Sequence, residues 1–207
     1  MVTFYDRLTA NHKNFALNEN WSYKFIIHAV IPKLFKSKGV LWYSLKMKLQ
    51  LEEKSTLTLL AFQNTSAETL VKDMNFPTVL LPSDKIKDSE IAIAEILKSQ
   101  IFICFGQKPQ IKNKICLELV ARTNDAILPT NFPIESFETK LEENNITYCK
   151  SQNPETSYCN LVYWNALKFI NDNNCDCKFL FIHIPFEKNI ENIVELREKL
   201  NNVLKTL

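Results

Sequence analysis

Three continuous apolar stretches, separated by segments with helical spacing, place the strongest constraint on the fold. They span residues 56–62, 100–105 and 178–185. Runs of this kind predict strands buried on both faces, which occur almost only in parallel sheets covered by helices. Residues 83–98 repeat apolar side chains at helical spacing between two of these strands. The alternation predicts an α/β fold, a three-layer α/β/α sandwich around a mostly parallel central sheet.

The rest of the chain divides into elements that fit this plan and a first segment that does not. We predict further strands at 78–81 and near 115–122, and helices at 66–74, 134–144 and 190–207. Residues 21–53 instead contain two β-prone stretches flanking a turn. We therefore predict that residues 1–54 form an N-terminal β-hairpin arm rather than an independent domain, and that residues 55–207 form the α/β domain. We expect the arm to pack on its own domain or to build a subunit interface.

Composition excludes several classes of function. Only two of the 207 residues are glycine, Gly39 and Gly106, so glycine-rich phosphate loops for nucleotides are absent. The net charge of +2 gives no bulk attraction for nucleic acid. No apolar run reaches the ~18 residues of a membrane span, and the start of the chain lacks the features of a signal peptide. We expect a cytoplasmic protein that binds neither nucleic acid nor membrane.

A cysteine at a helix start and a histidine at a strand end are the strongest candidates for chemistry. Cys159 follows a polar loop in which Thr156 or Ser157 is a plausible N-cap, so it falls in the first turn of a helix. The positive end of the helix dipole there favours a thiolate. His183 ends the strand 178–185. A thiol and an imidazole can serve as the nucleophile and the general base of a cysteine hydrolase.

The topology predicts that these two residues meet. Ligand sites of open α/β sheets form beyond the carboxyl ends of the strands. His183, the segment Gly106-Gln107 and the loop before Cys159 all belong at that edge. The pair Cys175 and Cys177 has no second cysteine pair or nearby histidine, so we interpret it as a loop or strand start rather than a metal site.

The segments around these candidates resemble pyroglutamyl peptidase type I, also called pyrrolidone-carboxylate peptidase. Ser157-Tyr158-Cys159-Asn160 is similar to the family's Thr-Tyr-Val-Cys-Asn nucleophile segment. Residues 180–185, Leu-Phe-Ile-His-Ile-Pro, are similar to its Gly-Phe-Ile-His-Val-Pro strand. Glu118 follows a Gly-Gln loop and falls at the position of the family's catalytic acid. The resemblance covers roughly residues 56–207.

The resemblance implies a function and a set of site residues. It implies a cysteine peptidase that removes N-terminal pyroglutamate from peptides, with a catalytic triad of Cys159, His183 and Glu118. It implies three substrate-binding residues, which are Gln107, Phe62 and Tyr158. It implies no metal and no organic cofactor, a pyroglutamyl peptide as the partner, and an assembly that can be a homo-oligomer.

The chain departs from the family pattern around the triad. The glycine-rich loop after the first strand is lost, and Lys108-Pro109-Gln110 replaces Gly-Gly-Arg. Ile127 stands where the family has an arginine that is thought to help stabilise the oxyanion. Two alternatives therefore remain open: a catalytically silent relative that binds partners or assembles, and an active cysteine hydrolase with a different small amide substrate.

Overall fold

A computed structural model describes residues 55–154 and 157–207 of the chain. The predicted arm of residues 1–54 lies outside the described residues, and so does the alternative N-cap Thr156. Within these ranges the chain forms eight strands, five α-helices and one short 3-10 helix. The strands are β1 (Ser55–Phe62), β2 (Thr78–Leu81), β3 (Ser99–Lys108), β4 (Ile115–Glu118), β5 (Val120–Arg122), β6 (Ile127–Pro129), β7 (Tyr148–Ser151) and β8 (Lys178–Pro185). The helices are α1 (Ser66–Val71), α2 (Lys87–Ile96), α3 (Ile134–Glu143), α4 (Tyr158–Asp172) and α5 (Ile193–Leu204), and the 3-10 helix is Glu187–Asn189.

Six strands form one sheet in the order β2-β1-β3-β8-β4-β7. All neighbouring pairs in it are parallel except β4 and β8, which are antiparallel. Strands β5 and β6 form a separate antiparallel pair. The prediction of a mostly parallel α/β sheet is confirmed.

Two apolar clusters, one on each face, make the sandwich. On one face the sheet packs against α1, α3 and α5, through residues such as Leu70, Phe137 and Leu200. On the other face it packs against α2 and α4, through residues such as Ile96 and Val162. We call these the α1/α3/α5 face and the α2/α4 face. Side chains alternate between them along each strand, as the period of two requires.

Some predicted boundaries were wrong for local reasons. The single strand predicted near residues 115–122 is two strands, because β5 leaves the main sheet to pair with β6. The edge strand β7 was not predicted. Helix α2 begins later than predicted, since Asp84 Oδ1 accepts hydrogen bonds from the backbone N–H groups of Ile86 and Lys87 in the turn before it. Asn192 caps α5 in a similar way, so that helix begins at Ile193.

Candidate active site

Cys159 is the second residue of α4 and lies directly over strand β3. Ser157 is the N-cap, and its hydroxyl accepts a hydrogen bond from the Asn160 N–H at 3.2 Å. A Cβ added at Gly106 would lie 3.0 Å from the Cys159 sulfur and 2.9 Å from the Phe181 ring. The nucleophile candidate therefore needs a glycine beneath it, because any side chain at position 106 would displace the sulfur or the ring.

His183 lies on the same face of the sheet, beside this glycine. Gly106 and His183 are register partners across the parallel strands β3 and β8. The imidazole packs against the Phe181 ring, with ring centroids 5.0 Å apart, and its Nδ1 lies 2.8 Å from Glu118 Oε1. The thiol and the imidazole thus occupy the same level of the sheet on one face, at the predicted carboxyl edge.

Glu118 is the buried acid of the site, with only 2% of its surface exposed. Its Oε1 also lies 3.3 Å from Lys108 Nζ and 3.8 Å from the Cys116 sulfur. Burial raises the pKa of this carboxyl, but hydrogen bonds from His183 and Ser151 and the nearby charges outweigh burial and lower the pKa to about 2. Glu118 is therefore ionised at neutral pH.

The ionised acid decides the tautomer of the histidine. A carboxylate can only accept hydrogen bonds, so Nδ1 of His183 carries the hydrogen that it donates to Glu118. In the neutral ring, Nε2 is then the nitrogen with a lone pair. The pair has the arrangement of an acid that orients a general base.

The state of the Cys159 thiol differs from the sequence expectation. Burial raises its pKa to about 12, and this outweighs the lowering effect of the backbone hydrogen bond at the helix start. The charges of Glu118 and Asp88 raise the pKa further, whereas that of Lys108 lowers it. The expected helix-dipole preference for a thiolate is overcome by burial, and at neutral pH the group is a thiol.

Phe62 and Tyr158 form an aromatic wall next to the nucleophile. Their ring centroids are 5.6 Å apart in an edge-on arrangement, and Phe62 is 6.4 Å from Phe181. The Tyr158 hydroxyl donates a 2.5 Å hydrogen bond to Asp88 Oδ2. Burial and this bond raise the pKa of the tyrosine, so the hydroxyl remains a donor.

Asp88 is a buried acid that sequence analysis missed. It lies on α2 and is 0% exposed. The sequence pattern of this helix predicted only which apolar residues face the core. The neighbouring Ser89 accepts a 3.0 Å hydrogen bond from Asn165 of α4. Two polar contacts therefore join α2 to the helix that carries the nucleophile. No sequence signal distinguishes this aspartate from a surface one.

Gln107 is not brought together with the other site residues. It follows Gly106 on β3, so its side chain points to the α1/α3/α5 face. Its Oε1 accepts a hydrogen bond from the Ser66 N–H at 3.3 Å. The Ser66 hydroxyl lies 3.4 Å from the same oxygen and donates its hydrogen to the Pro185 carbonyl at 2.7 Å. It lines a cleft on that face together with residues that include Thr65, Glu68, Lys72, Thr78, Leu80 and Glu187.

Arg122 lies across the small sheet from Ile127, the position where the family has an arginine. Ile127 is 53% exposed, and the two residues are register partners of β5 and β6. The Asn160 side chain holds the backbone of Arg122 through bonds of 2.9 and 2.7 Å. The Arg122 guanidinium donates to Asn153 at 3.0 Å. This clamp ties β5 to the residue that follows Cys159, and sequence analysis did not identify it.

Among residues 55–154 and 157–207, no group of three or more His, Cys, Asp or Glu side chains is arranged to hold a metal ion. Within the same ranges, no helix has the length and apolar character needed to cross a membrane.

Comparison with known proteins recovers similarity through structure only. No family model matches the sequence, and no curated protein matches it either. Among solved structures, the chain is similar to pyroglutamyl peptidase I from Bacillus amyloliquefaciens, with a TM-score of 0.64 and 19% identity over 74% of this chain and 94% of that one. It is also similar to pyrrolidone carboxyl peptidase from Thermococcus litoralis, with a TM-score of 0.60 and 18% identity over 73% and 92% of the two chains.

A third similar structure extends the same pattern. Pyrrolidone carboxyl peptidase from Thermus thermophilus aligns with a TM-score of 0.61 and 14% identity over 73% of this chain and all of that one. At such identities the similarity concerns the arrangement of the chain rather than particular side chains. The described part of the chain therefore has the α/β fold of the pyrrolidone carboxyl peptidases.

Proposed function

We propose that the protein is a cysteine peptidase that removes N-terminal pyroglutamate from peptides through Cys159, His183 and Glu118. The observation that carries the proposal is the buried His183–Glu118 hydrogen bond, 2.8 Å long, on the face where Cys159 lies over Gly106. A thiol, a base and an orienting acid on one side of the sheet are the groups that acyl transfer requires. The similar solved structures are a pyrrolidone carboxyl peptidase and a pyroglutamyl peptidase I, which supports the proposal through the fold.

In the proposed reaction the thiol loses its proton in the same step in which the sulfur–carbon bond forms. The thiol of Cys159 passes its proton to His183 Nε2 as the sulfur bonds to the carbonyl carbon of the pyroglutamyl residue. The carbon–nitrogen bond then breaks, and the imidazolium returns the proton to the leaving amine. Water attacks the thioester with His183 as base, which releases pyroglutamate and restores the thiol. Because the pKa of the resting thiol is raised, the proposed mechanism requires the proton to leave during attack.

The negative charge on the carbonyl oxygen needs donors. The N–H of Cys159 lies in the first turn of α4, where backbone N–H groups have no helical acceptor. We propose that it contributes to the oxyanion site. Loss of one such donor typically costs about 100- to 1000-fold in rate, so with Ile127 at the arginine position we expect slower turnover than a site with that arginine would give.

Substrate recognition is proposed to use Phe62 and Tyr158 as the apolar wall for the lactam ring. Gln107 is the third binding residue in the proposal. Its side-chain oxygen accepts a hydrogen bond from the Ser66 N–H, so the side-chain amide N–H₂ group is the part that can donate to a substrate. A lactam carbonyl can accept such a hydrogen bond. For Gln107 to reach the ring it must turn from the cleft toward the carboxyl edge of the sheet.

The direct test is release of a fluorescent amine from a pyroglutamyl substrate under reducing conditions. We expect the native protein to release the amine and Cys159→Ala to show at least about 1000-fold less activity, because no other group would replace the nucleophile. Equal activity in the two proteins would exclude Cys159 as the nucleophile. No release by the native protein would reject this substrate.

A catalytically silent binding protein is the second candidate. Exposed Ile127 at the arginine position and the raised pKa of Cys159 favour it. Rapid alkylation of Cys159 at neutral pH would reject the silent candidate, because a thiol with a raised pKa reacts quickly only where a base removes its proton. Rapid alkylation without pyroglutamyl cleavage would instead indicate a hydrolase for another amide.

We propose that residues 1–54 act as an arm that packs on the α/β domain or builds a homo-oligomer interface. The test is deletion of residues 1–53, followed by measurement of solubility and of mass in solution. We expect at least one of the two to change. An unchanged solubility and an unchanged mass would contradict the proposal.

A further inference from the structure

Lys108 places a positive charge on the α2/α4 face and is not one of the three proposed triad residues. It is the last residue of β3 and lies two positions after Gly106, so the two residues point to the same face. Its Nζ lies 3.3 Å from Glu118 Oε1, and its side chain is only 19% exposed. The ion pair is thus largely shielded from solvent. Charge interactions in such a buried environment are stronger than at the surface.

Lys108 and His183 contact the same atom. Glu118 Oε1 lies 2.8 Å from His183 Nδ1 and 3.3 Å from Lys108 Nζ, and the Cys116 thiol donates to it at 3.8 Å. A permanent cation on this oxygen favours the ionised carboxyl and holds it beside the imidazole on the α2/α4 face. Because the imidazole bonds the same oxygen, the position of the ammonium also determines where that oxygen meets the imidazole.

We propose that Lys108 is a positioning residue of the active site, which fixes Glu118 against His183 and supplies a positive charge on the face of the sheet where the Cys159 thiol lies. The inference rests on the proposed function for its role in turnover. Its effect on the thiol can be measured without any substrate. Lys108 falls at a glycine of the Gly-Gly-Arg segment in the family pattern, so the family resemblance does not itself imply this role.

The charges around Cys159 decide the sign of the effect. The titratable groups that interact with the thiol are Lys108 and Cys104 of β3, Glu118 of β4, Asp88 of α2 and Tyr158 of α4. Cys116 of β4 and His183 of β8 contact Glu118. Glu118 and Asp88 raise the pKa of the thiol, and Lys108 lowers it. A neutral side chain at position 108 removes the charge that lowers the pKa of the thiol, while the two carboxylates that raise it remain. The thiol therefore becomes harder to ionise.

The experiment measures alkylation of Cys159 by iodoacetamide as a function of pH, with the labelled peptide identified by mass. The variants are Lys108→Gln, Lys108→Arg and Lys150→Gln. Lys150 is a matched control, because it pairs with Glu138 at 3.0 Å and its loss removes the same charge without touching Glu118. Melting temperatures check the fold, and Lys108→Met, which keeps the apolar stem, replaces Lys108→Gln if that variant does not fold.

We expect Lys108→Gln to shift the alkylation profile to higher pH and to slow the reaction near neutral pH by about 3- to 10-fold. Lys108→Arg restores the native profile, and Lys150→Gln leaves it unchanged. A Lys108→Gln profile that coincides with those of the native protein and Lys150→Gln would overturn the inference. A structural role alone would lower the melting temperature without moving the pH profile.

Peptidase assays then separate this inference from the proposed function. If the native protein cleaves a pyroglutamyl substrate, Lys108→Gln lowers kcat more than it changes KM, since Lys108 acts on the triad rather than on the substrate. Cleavage with no change in either kcat or the alkylation profile rejects the role of Lys108. A shifted alkylation profile in a protein that does not cleave the substrate rejects the pyroglutamyl peptidase and leaves the effect of Lys108 on the thiol established.

Discussion

The two faces of the sheet differ in what they bury. The α2/α4 face holds three fully or nearly fully buried ionisable groups, Asp88, Glu118 and His183. The core cluster of the α1/α3/α5 face contains only apolar side chains. Burying charged groups costs free energy unless each is paired, whereas apolar burial stabilises directly. Both faces therefore carry an apolar core that stabilises the domain, and the α2/α4 face in addition buries the acids and the imidazole of the candidate site.

The largest expected effect comes from removing the acid on the polar face. Glu118→Gln keeps the size of the side chain but loses the charge that orients His183 and would stabilise an imidazolium. We expect pyroglutamyl turnover to fall by about 100- to 1000-fold, measured as kcat with the fluorescent substrate. Glu138→Gln, which removes a partly buried carboxylate paired with Lys150, is the control. Equal kcat in the two variants would show that the buried carboxylate of the α2/α4 face does not contribute to catalysis.

A change on the apolar face should have the opposite profile. Leu180 is 0% exposed and belongs to the α1/α3/α5 cluster. Leu180→Ala leaves a cavity there, and we expect the free energy of unfolding to fall by about 2–5 kcal/mol. Urea denaturation measures this loss. The rate of Cys159 alkylation in the folded protein should stay near native, and a large change in that rate would mean that the two faces are coupled.

The smallest effect is a pH-dependent one. The pKa of Glu118 lies at about 2 in the folded protein, below its ordinary value of 4.5. A lowered folded-state pKa contributes stability that is present above the ordinary value and is lost as pH falls toward the folded value. We therefore expect the urea midpoint of the native protein to fall between pH 5 and pH 2 (limits taken from the two pKa values, about 4.5 and about 2).

Glu118→Gln provides the comparison for this pH effect. The variant lacks the titrating group, so its urea midpoint should fall less than the native midpoint over the same pH range. Parallel curves for the two proteins would mean that Glu118 is not held ionised by His183 and Lys108 in the folded state.

Local features of the site could be predicted from sequence because they depend on neighbouring residues. The helix start at Cys159 follows from a polar loop and an N-cap, and the strand ending in His183 follows from a continuous apolar run. The layered α/β arrangement follows from the alternation of such segments. These inferences need no knowledge of how distant strands pair.

What could not be predicted depends on pairing between distant segments. The antiparallel insertion of β4 beside β8, the burial of Asp88 and the contact of Lys108 with Glu118 arise only once the sheet is assembled. The face on which Gln107 lies depends on a single step along β3, since adjacent residues point to opposite sides. A resemblance over short motifs does not carry this information.

The antiparallel pairing of β4 with β8 has a consequence for how the chain tolerates change in length. Glu118 pairs in register with Phe181, and His183 pairs with Cys116, so the acid and the imidazole bond along a diagonal of this ladder. A slip of one residue would turn Glu118 to the apolar side, and a slip of two would separate it from the imidazole. The loop of residues 109–114 connects β3 to β4, so its length bears on the geometry of the proposed active site although none of its residues belongs to the proposed triad.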